Sequence, residues 1–291
     1  MDLRRYNTIF LFSVIFSAVF ALAGISVLEA CTLWSAVGNR VAHGGSLIAK
    51  NRDWTPEPSA VRLVHPDAGF RSLGLFPIRD GKQRNIVAGV NEKGLVIVTA
   101  SASSVPEADR EKGGSNLTRQ LLTVFSTVED VQVNKSVFAR THPSMFLIAD
   151  RRQTAWIEVA PEGKFSIRTI KKGVLTHTNH YLDETLIDVN GKIGRSSRTR
   201  LGRIGELLER HTAPLTLEDF IAFSQDRNDG PDDSLWRTGS KPDGKRTLAS
   251  WIVSLPPAAP PELFVRLANP GEPERTIKMT LDGPFWKSMA E

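Results

Sequence analysis

The spacing of hydrophobic and polar residues changes character several times along the chain. From Ile9 to Ala23 the residues are almost all apolar; after Cys31 alternation takes over. Cys31 to Val37 is a short apolar-rich run, Gly38-Asn39 offers a turn, and Ser46 to Asn51 reads as a second strand running into Arg52-Asp53-Trp54. The two make a hairpin whose far end returns towards Cys31. Asn85–Val90 and Leu95–Ala100 flank Asn91-Glu92-Lys93-Gly94 as a second hairpin, and Met145–Asp150 and Thr154–Val159 a third around Arg151–Gln153. Phe165–Ile170 and the run from Val174 to Tyr181 alternate again, and Leu248–Leu255, Leu263–Ala268 and Thr276–Leu281 close the chain with strands.

Helical spacing appears in three places. Ser115 can cap a helix with Leu117, Leu121, Leu122 and Phe125 on one face, and Ser196 or Ser197 one with Leu201, Ile204, Leu207 and Leu208 on its buried side. Thr216 starts a third, with Asp219 three positions on and Leu215 able to staple to Phe220. Ser101–Gly114 and Asn228–Arg246 read as loops. The pattern predicts a sheet-rich α+β protein with a few helices packed outside.

The apolar opening follows Arg4 and Arg5 and gives way to small residues, Ala23, Gly24 and Ser26, before Ala30. This is the layout of a secretory signal peptide over residues 1–30, with export to the periplasm or medium. Leu28 stands where a second small residue is preferred, which leaves three other outcomes: an uncut anchor over Ile9–Leu28, a lipoprotein box at Leu28-Glu29-Ala30-Cys31, or self-cleavage before Cys31.

Removal of the leader makes Cys31, the single cysteine, the first residue. A thiol ionises near pH ~8.5 and an α-amine near ~7.7–8.0, so at neutral pH part of the amine is free base beside the nucleophile it must deprotonate. An N-terminal cysteine can thus be nucleophile and base together. In the strand that ends at Trp54, Asn51 and Asp53 share one face and Lys50 and Arg52 the other, and a carboxylate brought back to the amine would orient it.

One cysteine excludes an internal disulfide framework and a multi-cysteine metal site. The remaining 261 of 291 residues suit one catalytic domain over 31–291, with no repeat or linker to divide it. Net charge is +5, and Arg4 and Arg5 balance Asp2 and Glu29, so the processed chain keeps it. Without a basic run this modest excess does not point to nucleic acid. His177 and His180 are spaced for a helix face rather than a strand, and no nearby carboxylate or cysteine completes a ligand set, so no metal is expected. Asn179 between them is either a turn former or an amide donor to an oxyanion. Arg198 and Arg200, in the first turn of their helix, oppose its dipole and ask for another role, such as binding a carboxylate.

Taken in order, Cys31-Thr32, the NRDW of 51–54, the GVNEKGL of 89–95, the LTHTNHY of 175–181, the SSRTR of 196–200 and the LFVRLANPGEP of 263–273 resemble the N-terminal-nucleophile amidases. That group includes choloylglycine hydrolases, penicillin V acylases and the acyl-coenzyme A:6-aminopenicillanate acyltransferases. The resemblance implies a four-layer αββα sandwich, with Cys31 as nucleophile, Asp53 at its amine, Asn179 as oxyanion donor and Arg198 as the late arginine near the nucleophile. It places Lys50 where the hydrolases have arginine, with Arg52 displaced by two; a lysine keeps the charge and lacks the bidentate fork. Ser101 falls near the second oxyanion contact of some bile salt hydrolases. Lys50, Arg52 and Ser101 are therefore the expected substrate-binding positions.

The expected activity is cleavage of a linear amide through an acyl-enzyme on Cys31, acting on a small acylated molecule such as penicillin V, an N-acyl homoserine lactone or a conjugated bile salt, with no cofactor. Acyl transfer to an amine and a lipid-anchored binding protein on the same fold are the alternatives. No stable membrane association is expected after cleavage, and the oligomeric state is open, with homotetramers common among relatives.

Overall fold

The computed structural model describes residues 30–42, 44–110 and 117–288. Strands β1 (Thr32–Val37) and β2 (Ser46–Trp54) form the first hairpin, turned at Gly38, whose positive φ of 68° and close approach to Lys171 O leave no room for a Cβ. Then come β3 (Ser59–Val64), β4 (Ser72–Arg79), the two-residue β5 (Lys82–Gln83), β6 (Ala88–Asn91) and β7 (Val96–Ser101). Helices α1 (Glu107–Arg110), α2 (Leu117–Val124) and α3 (Val128–Val133) lead to β8 (Ser144–Ala149), β9 (Thr154–Val159), β10 (Phe165–Ile170) and β11 (Gly173–His177). After α4 (Arg195–Arg210), α5 (Leu217–Ser224) and α6 (Gly230–Asp233), β12 (Arg246–Leu255), β13 (Glu262–Leu267), β14 (Arg275–Thr280) and α7 (Gly283–Ser288) end the chain.

The strands form two antiparallel sheets. One runs β11-β1-β2-β12-β13-β14; the other runs β10-β9-β8-β7-β6-β4-β3, with β5 on β4. The period-two pattern sorts each strand between two cores. Leu33, Ile48, Val98, Leu147 and Trp251 meet between the sheets, while Trp34, Ala36, Ala49 and Ile252 pack outward against Ile204, Leu208 and Phe220 of α4 and α5. On the far side, Ile97, Phe146, Ile148 and Ile157 pack against α2 and α3 through Leu121, Leu122, Val128 and Val131. The result is the expected α+β sandwich, helices outside and two sheets within.

Most predicted elements form, with shifted ends. Thr216 and Asp219 make a full capping box at α5. Ser115, the expected cap of α2, lies outside the described residues. The strand expected from Asn85 starts at Ala88, and the one expected to run to Tyr181 stops at His177. β3, β4, β5, α3 and α7 were not predicted, and the one-turn helices α1 and α6 fall within stretches expected as loops; α3 carries its own capping box, Thr127 and Asp130. Among the described residues no helix is long and apolar enough to cross a membrane.

Candidate active site

Cys31 immediately precedes β1, buried, on the inter-sheet face that it shares with Leu33. The β1–β2 register pairs Thr32 with Asn51 and Leu33 with Lys50, so the end of β2 does return to Cys31. Alternation then divides β2. Asn51 and Asp53 face the helices, where the Asn51 side chain donates to Ser224 O and Leu235 O, each at 2.8 Å. Lys50 and Arg52 face the other way.

Asp53 is fully buried. A register shift in β12 between Thr247 and Ala249 brings Thr247 opposite Asp53, and its hydroxyl donates to Oδ1 at 2.8 Å. Oδ2 has no hydrogen bond but lies 3.8 Å from Arg200 Nη1 and 3.9 Å from Arg237 Nη1. Burial raises the Asp53 carboxyl above its ordinary range, opposed first by Arg200, then by Arg237, the Thr247 hydrogen bond and Lys50. Burial pushes Arg200 the other way, opposed first by Asp53.

Arg200 gathers the site. Its Nη1 donates to Cys31 O at 2.5 Å and Thr32 Oγ1 at 2.6 Å, and its Nη2 to Asn179 Oδ1 at 3.1 Å. It stands on the buried stripe of α4 with Ser197, Ile204 and Leu208. This corrects the expectation for Arg198, which is exposed and donates to Ile193 O at 3.0 Å. Two residues turn a helix by about 200°, so only one of this pair can face the sheet. The sequence pointed to both arginines, and the apolar stripe through Ile204 and Leu208 carries the phase that puts Arg200 rather than Arg198 on the buried face.

Asn179 lies two residues past the end of β11, where its Nδ2 donates to Ser101 O at 3.0 Å, leaving one amide proton uncommitted to that bond. Arg200 on Oδ1 fixes which end of the amide points to Ser101. The turn is held by Ser197, whose Oγ accepts from Asn179 N at 3.2 Å and lies 2.8 Å from His180 Nδ1 and 3.0 Å from Thr178 Oγ1. Ser197 was an expected helix cap; α4 instead starts from Gly194 with no side-chain cap, and the Ser197 hydroxyl supports Asn179. Burial, with His177 next, lowers His180 to about 4.

The three expected substrate-binding residues are engaged with other parts of the protein. Lys50, 2% exposed, crosses the gap between the sheets and donates to Val87 O at 3.2 Å and to Thr99 O. Arg52 is buried in an ion pair with Glu57, which also takes Arg79 at 2.9 Å, and donates to Ser59 Oγ at 3.3 Å. Ser101 contributes its carbonyl to Asn179, while strand alternation sends its side chain to the α2 side with Ile97. A cavity of about 420 Å³ borders the site instead. It is lined by Ser103, Ser104, Val105 and Pro106 and by charged groups of both signs, Glu107, Arg110 and Lys192. Ser104 N donates to Asn179 O at 3.2 Å, and Val105 shares the Cys31 core cluster.

A family model described as acyl-coenzyme A:6-aminopenicillanic acid acyl-transferase matches residues 41–272, most of the chain. The chain belongs to this family. Among solved structures, penicillin V acylase from Agrobacterium tumefaciens is similar to this acyl-transferase family member with a TM-score of 0.55 at 17% identity, over 87% of this chain and 89% of that one. That likeness establishes the shared sandwich. Anbu from Hyphomicrobium sp. strain MC1 aligns over 89% of this chain and 91% of its own at 11% identity, with a TM-score of 0.26. No curated protein matches the sequence.

Proposed function

We propose that the chain is an exported amidase that cleaves a small acylated amide through an acyl-enzyme on Cys31. The observation that carries this reading is the convergence of Cys31 O, the Asn179 amide and the Asp53 carboxylate on one buried guanidinium, Arg200. Loss of residues 1–30 converts the Cys31 peptide nitrogen to an amine. That amine takes the thiol proton, the thiolate attacks the amide carbonyl, and the oxyanion is met by the second Nδ2 proton of Asn179. The amine then protonates the departing nitrogen, and water repeats the sequence on the thioester. Asp53, with an oxygen free of hydrogen bonds, holds the ammonium form, while Arg200 fixes Cys31 O and the Asn179 amide. The cavity beside Ser104 takes part of the substrate.

The family's name supports acyl transfer as a second reading, differing only in whether water or an amine opens the thioester. The deciding experiment is the intact mass and first residue of the protein from its producing cell, followed by incubation with penicillin V, N-acyl homoserine lactones and conjugated bile salts, with and without an added amine. An unmodified Cys31 start and a transient acyl adduct on Cys31 are expected. A Met1 start or a lipid on Cys31 would overturn the reading, and the lipid would favour a membrane-anchored binding protein.

A further inference from the structure

Glu158 is a buried carboxylate in the middle of the sandwich that the chemistry above does not use. It stands on β9 on the inter-sheet face, between Trp156 and Ala160 of the same core cluster, with its side chain wholly inaccessible. A carboxylate there costs several kcal/mol in lost hydration unless its oxygens are well partnered. Its partners all belong to the segment that carries Asn179. Oε1 accepts from His177 Nε2 at 2.7 Å and Leu182 N at 2.6 Å, and Oε2 from Asp183 N at 3.2 Å. His177 Nδ1 in turn lies 3.1 Å from Thr178 O, and the ring packs edge-on against Trp156. One carboxylate on the second sheet thus grips the residue that ends β11 and the residues that follow the turn. Asn179 is held between these two attachments. From α4, Ser197 and Arg200 hold the same turn on its other flank.

We propose that Glu158 is a positioning residue, a clamp that sets the Asn179 amide in place for the oxyanion. This rests on the role assigned to Asn179 above. The clamp ties the donor to the rigid sandwich rather than to a mobile loop, and a misplacement of about 1 Å in such a group can cost on the order of 100-fold in rate.

Two reagents separate positioning from a general structural role. Acylation of Cys31 in the processed protein by p-nitrophenyl acetate passes through an oxyanion, while alkylation by iodoacetamide displaces iodide without one. Asn179→Ala is expected to slow acylation by about 100-fold and Glu158→Gln by about 10-fold, both with alkylation within about twofold of the parent. The Gln amide keeps one acceptor oxygen but sets an N–H against a donor. The double variant is expected to acylate no more slowly than Asn179→Ala alone. If Glu158→Gln slows both reagents alike, or its effect adds fully to that of Asn179→Ala, the clamp is refuted. If Asn179→Ala acylates at the parent rate, the oxyanion assignment falls and the clamp with it. Should Glu158→Gln fail to fold, His177→Gln releases one arm and is read by the same criteria.

Discussion

Arg198 and Arg200 differ by two positions and by whether they face solvent or Cys31, and that difference is testable at the level of single side chains. Arg200 makes four hydrogen bonds spread over all three guanidinium nitrogens, to Ser196 Oγ, Cys31 O, Thr32 Oγ1 and Asn179 Oδ1, which a single ammonium cannot reproduce. Arg200→Lys should lower kcat by about 100-fold, in the range lost with an oxyanion donor, while Arg198→Ala should stay within about twofold, since an exposed residue of this kind contributes little. Steady-state kinetics on one acyl amide checks both. Thr247 allows a subtler test. Its hydroxyl is one of the groups lowering Asp53, so Thr247→Val should raise that carboxyl further and move the acid limb of the pH–rate profile to higher pH. Cys31, Asp53 and Asn179 were legible in the sequence because each has a local reason to be noticed: the end of a leader, the end of a strand, an amide in a turn. Arg200 stood out together with Arg198 for opposing the helix dipole, whereas Thr247 and Glu158 did not stand out, because their placements depend on a bulge in β12 and on a partner strand across the sandwich.

Elements with local punctuation were equally legible. The capping box of α5 stood in the sequence as Thr216 and Asp219, and the structure makes both halves of it. Thr216→Ala should cost about 1 kcal/mol and lower the unfolding temperature by a few degrees in calorimetry. The same signature at Thr127 and Asp130 was overlooked because α3 is only six residues long. β3 and β4 escaped although they pair with each other across a short connection, because β4 carries Gly74 and Pro77, residues that argue against a strand interior. The turn after β11 carries a pH dependence of its own. His180, faced by His177, Glu158, Arg198 and Arg200, is held neutral in the fold down to about 4, whereas the unfolded chain protonates it near its ordinary 6.5. The unfolded state therefore binds more protons between those limits, and folding stability falls as pH drops from 6.5 to 4. Unfolding temperatures measured across that range should decline less steeply in His180→Gln than in the parent.

At the scale of the molecule, the mechanism proposed above makes the identity of the first residue decisive. Cys31 sits buried where β1 begins, with Ala30 also buried and its nitrogen 3.4 Å from Asp53 O, so the backbone ahead of Cys31 already lies against the end of β2. A chain that still carried residue 30 would keep β1, Arg200 and Asn179 in register and have an amide in place of the amine. A protein processed to begin one residue early, with Ala30 retained, should therefore unfold at nearly the same temperature as the Cys31 form and show no turnover. The Cys31 form should gain activity with rising pH as an amine near ~7.7–8.0 loses its proton, the value moved by its neighbours in the site. If the Ala30 form turned over an acyl amide at a comparable rate, the base would have to be another group. Lys50 would not serve without leaving the carbonyls of Val87 and Thr99, and His180 is already committed to Ser197. The comparison thus tests the position of the cysteine in the chain separately from its presence.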